Sequence, residues 1–210
     1  DACAGAGGKT LAIAAALEGR GRVIAFDVAE AKLEELRRRA RRAGASNVRA
    51  LAVDILAPAE ASSPLVPFAG KAARVLVDAP CTGLGAIRRN PEVRWRLRPE
   101  NVDSLNEAQG RLLRAAASLV APKGRLIYAT CSFLKREGEA VFESFLAGDA
   151  RFGLVTARDV LGRARSEAVT TADGRYLRTW RFASGGPAVP PMDGFFAAVA
   201  RRTVRSSEAT

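Results

Sequence analysis

The chain has 210 residues, enough for one domain with one good core, and 48% apolar with 26% charged residues is the balance of a globular protein. Lys and Arg outnumber Asp and Glu by 33 to 22, a formal charge of +11 that points to a polyanionic partner, nucleic acid first, or else to a merely basic solvated surface. There is no histidine, which excludes Ser-His-Asp and Cys-His nucleophile pairs and histidine metal sites. Cys3, Cys81 and Cys131 are far apart with no C-x-x-C spacing, so no metal site is expected, and an odd number of free thiols fits a reducing cytoplasm. No apolar run nears the roughly 18 residues of a membrane span and no signal peptide is visible, so no membrane association is expected.

Residues 1–10, Asp-Ala-Cys-Ala-Gly-Ala-Gly-Gly-Lys-Thr, form a glycine-rich turn that opens a helix running to Leu17. Glycines let backbone approach a ligand closely, and a helix N-terminus offers free N–H groups to an anion. Gly8-Lys9-Thr10 matches the end of a phosphate-binding loop, but Cys3 stands where that pattern needs its first glycine, which argues against a nucleotide hydrolase. Residues 23–26 predict a strand ending in Asp27, about twenty residues past the glycines, the offset at which an acidic side chain reaches ribose hydroxyls. Asp27 capping the following helix is the plainer alternative. Residues 30–43 predict a helix with Leu33 and Leu36 on one face and five arginines elsewhere, either a solvated face or an RNA contact. A strand over 48–53 ends at Asp54, well placed for an adenine amino group, and the prolines at 58, 64 and 67 mark a loop.

Residues 74–77 predict a buried strand that runs directly into Asp78-Ala79-Pro80-Cys81, and residues 125–128 predict another that runs into Ala129-Thr130-Cys131-Ser132. Ligands and reacting groups gather at the C-terminal ends of strands in open α/β sheets. If these two strands are neighbours, Cys81 and Cys131 share one cleft with Asp78 beside them. Between them, residues 87–98 form a loop of arginines around Trp95, with Arg88, Arg89 and Arg94 able to meet phosphates and the indole able to stack on a base. A packed tryptophan with solvated arginines is the alternative. Residues 99–119 and 136–146 predict helices; 152–156, 177–182 and 195–199 predict strands, the last two forming an antiparallel edge joined through the Gly/Pro stretch 184–191.

Four segments together, residues 1–10, Asp78-Ala79-Pro80-Cys81-Thr82-Gly83, Tyr128-Ala129-Thr130-Cys131-Ser132 and Asp193-Gly194-Phe195-Phe196, resemble in that order the signature segments of RNA cytosine-5 methyltransferases. Residues 87–95 are most similar to the bacterial Sun/Fmu, or RsmB-like, branch, which modifies small-subunit ribosomal RNA. The resemblance spans nearly the whole chain. It implies a Rossmann-like class I fold, a mostly parallel sheet with an antiparallel C-terminal strand, S-adenosyl-L-methionine as cofactor, small-subunit rRNA as partner, no metal, and a cytoplasmic monomer. Residues 1–210 are then expected to be one methyltransferase catalytic domain lacking its first strand, with an RNA-binding domain upstream that is absent. By the same resemblance Cys131 is the nucleophile, Cys81 serves the release step and Asp78 hydrogen-bonds the base. Ala4, Gly5, Ala6, Gly7, Gly8 and Lys9 hold the methionine part of the cofactor, with Lys9 on its carboxylate; Asp27 holds the ribose, Asp54 the adenine side, and Asp78 borders the sulfonium. Gly5-Ala6 stands where the family often has Ala-Pro. Two alternatives remain at this stage: the Pro-Cys thiol of related DNA enzymes would make Cys81 the nucleophile, and a non-catalytic RNA-binding module would use only the basic loop.

Overall fold

The computed structural model describes residues 1–57, 63–179 and 192–204. In chain order it has α1 (Gly8–Ala16), β1 (Val23–Asp27), α2 (Glu30–Arg42), β2 (Val48–Ala52), β3 (Ala72–Asp78), α3 (Val93–Arg96), α4 (Pro99–Ala117) and β4 (Val120–Thr130). There follow α5 (Glu139–Gly148), β5 (Phe152–Val155), α6 (Ala157–Leu161), α7 (Arg163–Ser166), β6 (Leu177–Thr179) and β7 (Phe195–Arg202).

Helix α2 shows how sequence sets position. Leu33, Leu36 and Ala40 recur at helical spacing and are buried, whereas Arg39, Arg41 and Arg42 crowd the last turn, where cations complement the exposed carbonyls. Gly44 closes it at φ 64, a left-handed position that glycine adopts without strain. Helix α4 begins with Pro99 in its first turn, and the Arg98 N–H donates to Asn101 Oδ1 at 3.0 Å.

Strands β1 and β2 pair in parallel, as do β3 and β4. The two pairs are joined by the first residues of the chain: the amide of Phe26 donates to the Asp1 carbonyl at 2.8 Å and Ala4 donates to the Phe26 carbonyl at 2.9 Å, while Ala2 donates to Leu76 on β3 at 2.8 Å. Asp1–Ala4 thus runs between the strands that end at Asp27 and Asp78 and aligns their C-terminal ends on one rim.

Strand β7 is antiparallel to its neighbours, as the sequence implies, but it is not an edge. It lies between β4 on one side and β5 and β6 on the other. The apolar run Phe195–Val199 suits an inner place: Phe196, Ala198 and Ala200 are fully buried, and the four-residue β5 makes the shorter edge. The expected strand 177–182 ends at Thr179; its remainder and the stretch 184–191 lie outside the described residues. The short helices α6 and α7 have no counterpart in the sequence reading.

The core lies around Tyr128 of β4, whose ring stacks on Phe142 of α5 at 6.4 Å and meets Phe196 of β7 edge-on at 6.2 Å. Phe145, Phe152 and Tyr176 extend the cluster. Each fully buried aromatic of this kind contributes about 1.5–3 kcal/mol of hydrophobic stabilisation. This cluster fixes β4, and so Cys131, against α5 and β7.

Candidate active site

The parallel register of β3 and β4 sets Asp78 opposite Ala129. The Ala79 N–H donates to the Ala129 carbonyl at 2.9 Å, and each strand is followed within three residues by a cysteine. The two thiols meet: Cys81 Sγ and Cys131 Sγ are 3.2 Å apart. This is the shared cleft expected from the sequence, with a direct contact that spacing alone cannot announce.

Loops from three elements lock this end of the sheet. The Cys131 carbonyl accepts the Gly85 N–H at 3.0 Å, and the Gly85 carbonyl accepts the Gly194 N–H at 2.8 Å. Gly85 has no room for a side chain, since a Cβ there would sit 1.9 Å from the Gly194 carbonyl oxygen. The Asp-Gly-Phe-Phe segment therefore serves the thiol site through backbone contact. Beneath the thiols lies a buried polar cluster that the sequence reading misses. Glu137, with no exposure at all, accepts the Thr82 N–H at 2.8 Å and the Thr82 hydroxyl at 2.5 Å, and Gln109 Nε2 donates to it at 3.0 Å. The Tyr128 hydroxyl donates to the Glu137 carbonyl at 2.7 Å.

The contact divides the two thiols electrostatically. The hydrogen bond from Cys81 lowers the Cys131 pKa to about 7, with Lys9 adding to the effect and burial and Asp78 opposing it. Cys81 moves strongly the other way, because ionising it would break its bond to Cys131 and because it is desolvated, with the Glu137 charge adding. Cys131 is thus the readier thiolate. Lys9 Nζ pairs with Asp78 Oδ2 at 2.5 Å and lies 5.6 Å from the centre of the Phe195 ring. Cys3, half-buried in the glycine turn, is pushed up to about 12 by burial and by Asp27 and Asp78, which leaves it an inert thiol.

The other sequence-predicted groups occupy the same rim. Asp27 Oδ2 accepts the Gly5 N–H at 2.8 Å and its Oδ1 accepts the Ala29 N–H at 2.9 Å, so it braces both the glycine turn and the approach to α2. Asp54 Oδ1 accepts the Leu56 N–H at 2.8 Å. Gly5, at φ 53, and Gly8 face open space, whereas Gly7, at φ 86, is pressed on Leu36, where a Cβ would come within 2.1 Å. Ala4 is buried, and the Ala6 carbonyl accepts Arg39 Nη1 at 2.7 Å. The first N–H groups of α1 have no partner inside the helix and no capping side chain. An open glycine turn, a free helix N-terminus and carboxylates on three successive strand ends fit an elongated ligand with an anionic end, hydroxyls and a cationic centre.

The basic loop is partly helical, as α3, rather than a plain loop. Arg89 Nε pairs with Asp193 Oδ2 at 2.7 Å and Arg88 Nη2 lies 3.6 Å from Asp193 Oδ1, so both brace the segment that reaches Gly194. Arg94 lies over the Trp95 ring at 5.4 Å, and Trp95 is 80% exposed. Among the described residues no cluster of His, Cys, Asp or Glu could hold a metal ion, and no helix is long and apolar enough to cross a membrane.

A family model described as 16S rRNA methyltransferase RsmB/F matches residues 1–201. The chain is similar to a probable ribosomal RNA small subunit methyltransferase B of Synechocystis sp., 36% identical over 146 residues that make up 70% of this chain and 32% of that protein. It is also similar to ribosomal RNA small subunit methyltransferase F of Aeromonas salmonicida, 30% identical over 204 residues, 96% of this chain and 40% of that one. The chain therefore spans well under half the length of these curated relatives. In structure it is similar to NSun6 from Pyrococcus horikoshii, solved with SFG, with a TM-score of 0.77 at 24% identity, covering 98% of this chain and 47% of that one. The α/β sheet with its antiparallel β7 is the Rossmann-like methyltransferase fold, and the chain belongs to the 16S rRNA methyltransferase RsmB/F family.

Proposed function

We propose that this chain carries the catalytic centre of an rRNA cytosine-C5 methyltransferase that uses S-adenosyl-L-methionine. The observation that supports it most is the contact of Cys81 and Cys131 at the ends of two adjacent parallel strands, in a cleft that also holds Asp78 and Lys9. Cytosine C5 is too weak a nucleophile to take a methyl group unaided, and a thiolate added at C6 makes it enamine-like. Cys131, with its pKa near 7, is that thiolate. Asp78 hydrogen-bonds the base at N3 and favours the adduct in which N3, as the displaced electrons reach it, has taken a proton from solvent. The cofactor supplies the methyl group from its sulfonium.

Release follows from the same contact. Once Cys131 is bonded to C6 it carries no negative charge, and the largest cause that raises the Cys81 pKa is gone. With that cause gone Cys81 gives its own proton to solvent and, as a thiolate, takes the C5 proton; the C5=C6 double bond re-forms and the Cys131–C6 bond breaks, returning the Cys131 thiolate. The contact thus keeps Cys81 protonated until it is needed.

On the cofactor side, Ala4, Gly5, Ala6, Gly7 and Gly8 form the wall for the methionine part, and Lys9 leaves Asp78 for its carboxylate. Asp27 receives the ribose hydroxyls and Asp54 the adenine side. Small-subunit rRNA is the proposed substrate: Trp95 and Arg94 offer an exposed stacking face and cation, and Arg88 and Arg89 add positive charge beside the cleft.

The test is calorimetric titration with S-adenosylhomocysteine, followed by labelled methyl transfer to small-subunit rRNA and nucleoside mass spectrometry. Binding of the product cofactor and label in 5-methylcytosine are expected. Label in any other nucleoside contradicts the reading. Salt-sensitive RNA binding with no affinity for the cofactor would support an RNA-binding module instead.

A further inference from the structure

Glu137 is a fully buried carboxylate outside the set of residues that meet substrate or cofactor. Burying a charge is costly unless it is paired or densely hydrogen-bonded. No described lysine or arginine lies within ion-pair distance of it: Arg136 beside it turns to Asp103, and Arg178 across α5 turns to Glu139. Its partners are neutral donors, the Thr82 N–H, the Thr82 hydroxyl and the Gln109 amide. Thr82 follows Cys81 directly, and its hydroxyl lies 3.4 Å from that of Ser132, which follows Cys131. Gln109 also donates to the Pro80 carbonyl at 2.9 Å, on the other side of Cys81. The carboxylate therefore holds the Pro-Cys loop from both flanks of its cysteine, at the point where that loop must meet the end of β4.

We propose that Glu137 is a positioning residue of the two-thiol site: through the Thr82 N–H, the Thr82 hydroxyl and Gln109 it holds both flanks of Cys81 and so fixes the Cys81 loop in contact with Cys131. This rests on the division of roles proposed above. If the loop is released, the Cys81–Cys131 contact opens and Cys131 loses the hydrogen bond that favours its thiolate.

The test uses this chain with Glu137→Gln, which removes the charge but keeps a hydrogen-bonding group that the Thr82 hydroxyl can meet by reversing its bond. Glu137→Ala, which leaves the Thr82 N–H unpaired, serves as the structural comparison through its lowered melting temperature. Alkylation of Cys131 by iodoacetamide is followed against pH by peptide mass spectrometry in the parent, Glu137→Gln and Glu137→Ala. Glu137→Ala is expected to move the Cys131 midpoint up by at least about half a pH unit, whereas Glu137→Gln keeps it near the parent value. Glu137→Ala is expected to lower kcat by about tenfold or more with KM for cofactor and RNA within about twofold, and Glu137→Gln to restore most of that loss. An unchanged Cys131 midpoint in Glu137→Ala, or a loss explained wholly by a lower melting temperature, overturns the proposal. The alkylation readout needs no methyl transfer. If Cys131→Ala still methylates, the assigned roles fail; if only the Cys131 midpoint stays fixed in Glu137→Ala, Glu137 alone fails.

Discussion

The thiol site and the basic loop lie near each other but are built in opposite ways. At the ends of β3 and β4 the groups are packed and paired, the buried Thr130 hydroxyl excepted: Glu137 holds Thr82 and Gln109, Gly85 interleaves with Gly194, and the two sulfurs touch. In residues 93–98 Arg94, Trp95, Arg96 and Arg98 are exposed, and Trp95, at 80% exposure, is the most exposed large apolar side chain in the described structure. Bond-making needs groups held to fractions of an ångström, whereas recognition of a mobile polyanion needs accessible planes and charges. The fold spends its buried contacts on the first and leaves the second on the surface.

Substitutions should therefore split by region. The largest expected effect is Cys131→Ala, which removes the proposed nucleophile and should lower methyl transfer by about a thousandfold or more in single-turnover assays while leaving cofactor affinity within about twofold. Gly85→Ala forces a Cβ against the Gly194 carbonyl and should cost about 1–3 kcal/mol in urea unfolding, with activity falling because the Cys131 carbonyl loses its donor. Trp95→Ala should do the reverse: stability within about 0.5 kcal/mol of the parent, but RNA affinity weaker by about 1–3 kcal/mol in filter binding. Arg94→Gln should act least, weakening RNA binding at low salt and reducing the slope of log K against log salt by about one.

The site also sets a pH dependence whose sign can be worked out. Cys131 is lowered to about 7, so its reactive thiolate is already half formed at neutral pH and falls off below it. Single-turnover methylation should rise through pH 7 and level off above about 8. Cys81→Ala removes the hydrogen bond that is the main cause of the lowering, so the Cys131 alkylation midpoint should move upward toward the ordinary thiol value of about 8.5. A midpoint that stays near 7 in Cys81→Ala would assign the lowering to Lys9 or to the loop backbone.

Much of this was readable in the chain because strand ends announce themselves. The apolar runs before Asp27, Asp54, Asp78, Cys81 and Cys131 break at polar residues, and the parallel fold turns those breaks into one rim. Glu137 was not readable: between Arg136 and Glu139 it has the pattern of a solvated charge run, and only the three-dimensional turn after β4 buries it. Arg88 and Arg89 read as free cations because their partner Asp193 lies far along the chain. The inner place of β7 escaped for a similar reason, since a strand's neighbours are set by long-range pairing that local periodicity does not encode. The P-loop-like end Gly8-Lys9-Thr10 resolves into a lysine on Asp78 and a buried threonine whose hydroxyl donates to Asp1 Oδ2 at 2.7 Å.

The central claim is the division of labour between two touching thiols, and denaturing gel electrophoresis after incubation with cofactor and small-subunit rRNA tests it most directly. Cys81→Ala should give a stalled protein–RNA band that survives denaturation, because the Cys131–C6 bond forms and the C5 proton is not removed, whereas Cys131→Ala should give neither band nor methylation. A stalled band from Cys131→Ala, or methylation by it, would contradict the account and make Cys81 the nucleophile.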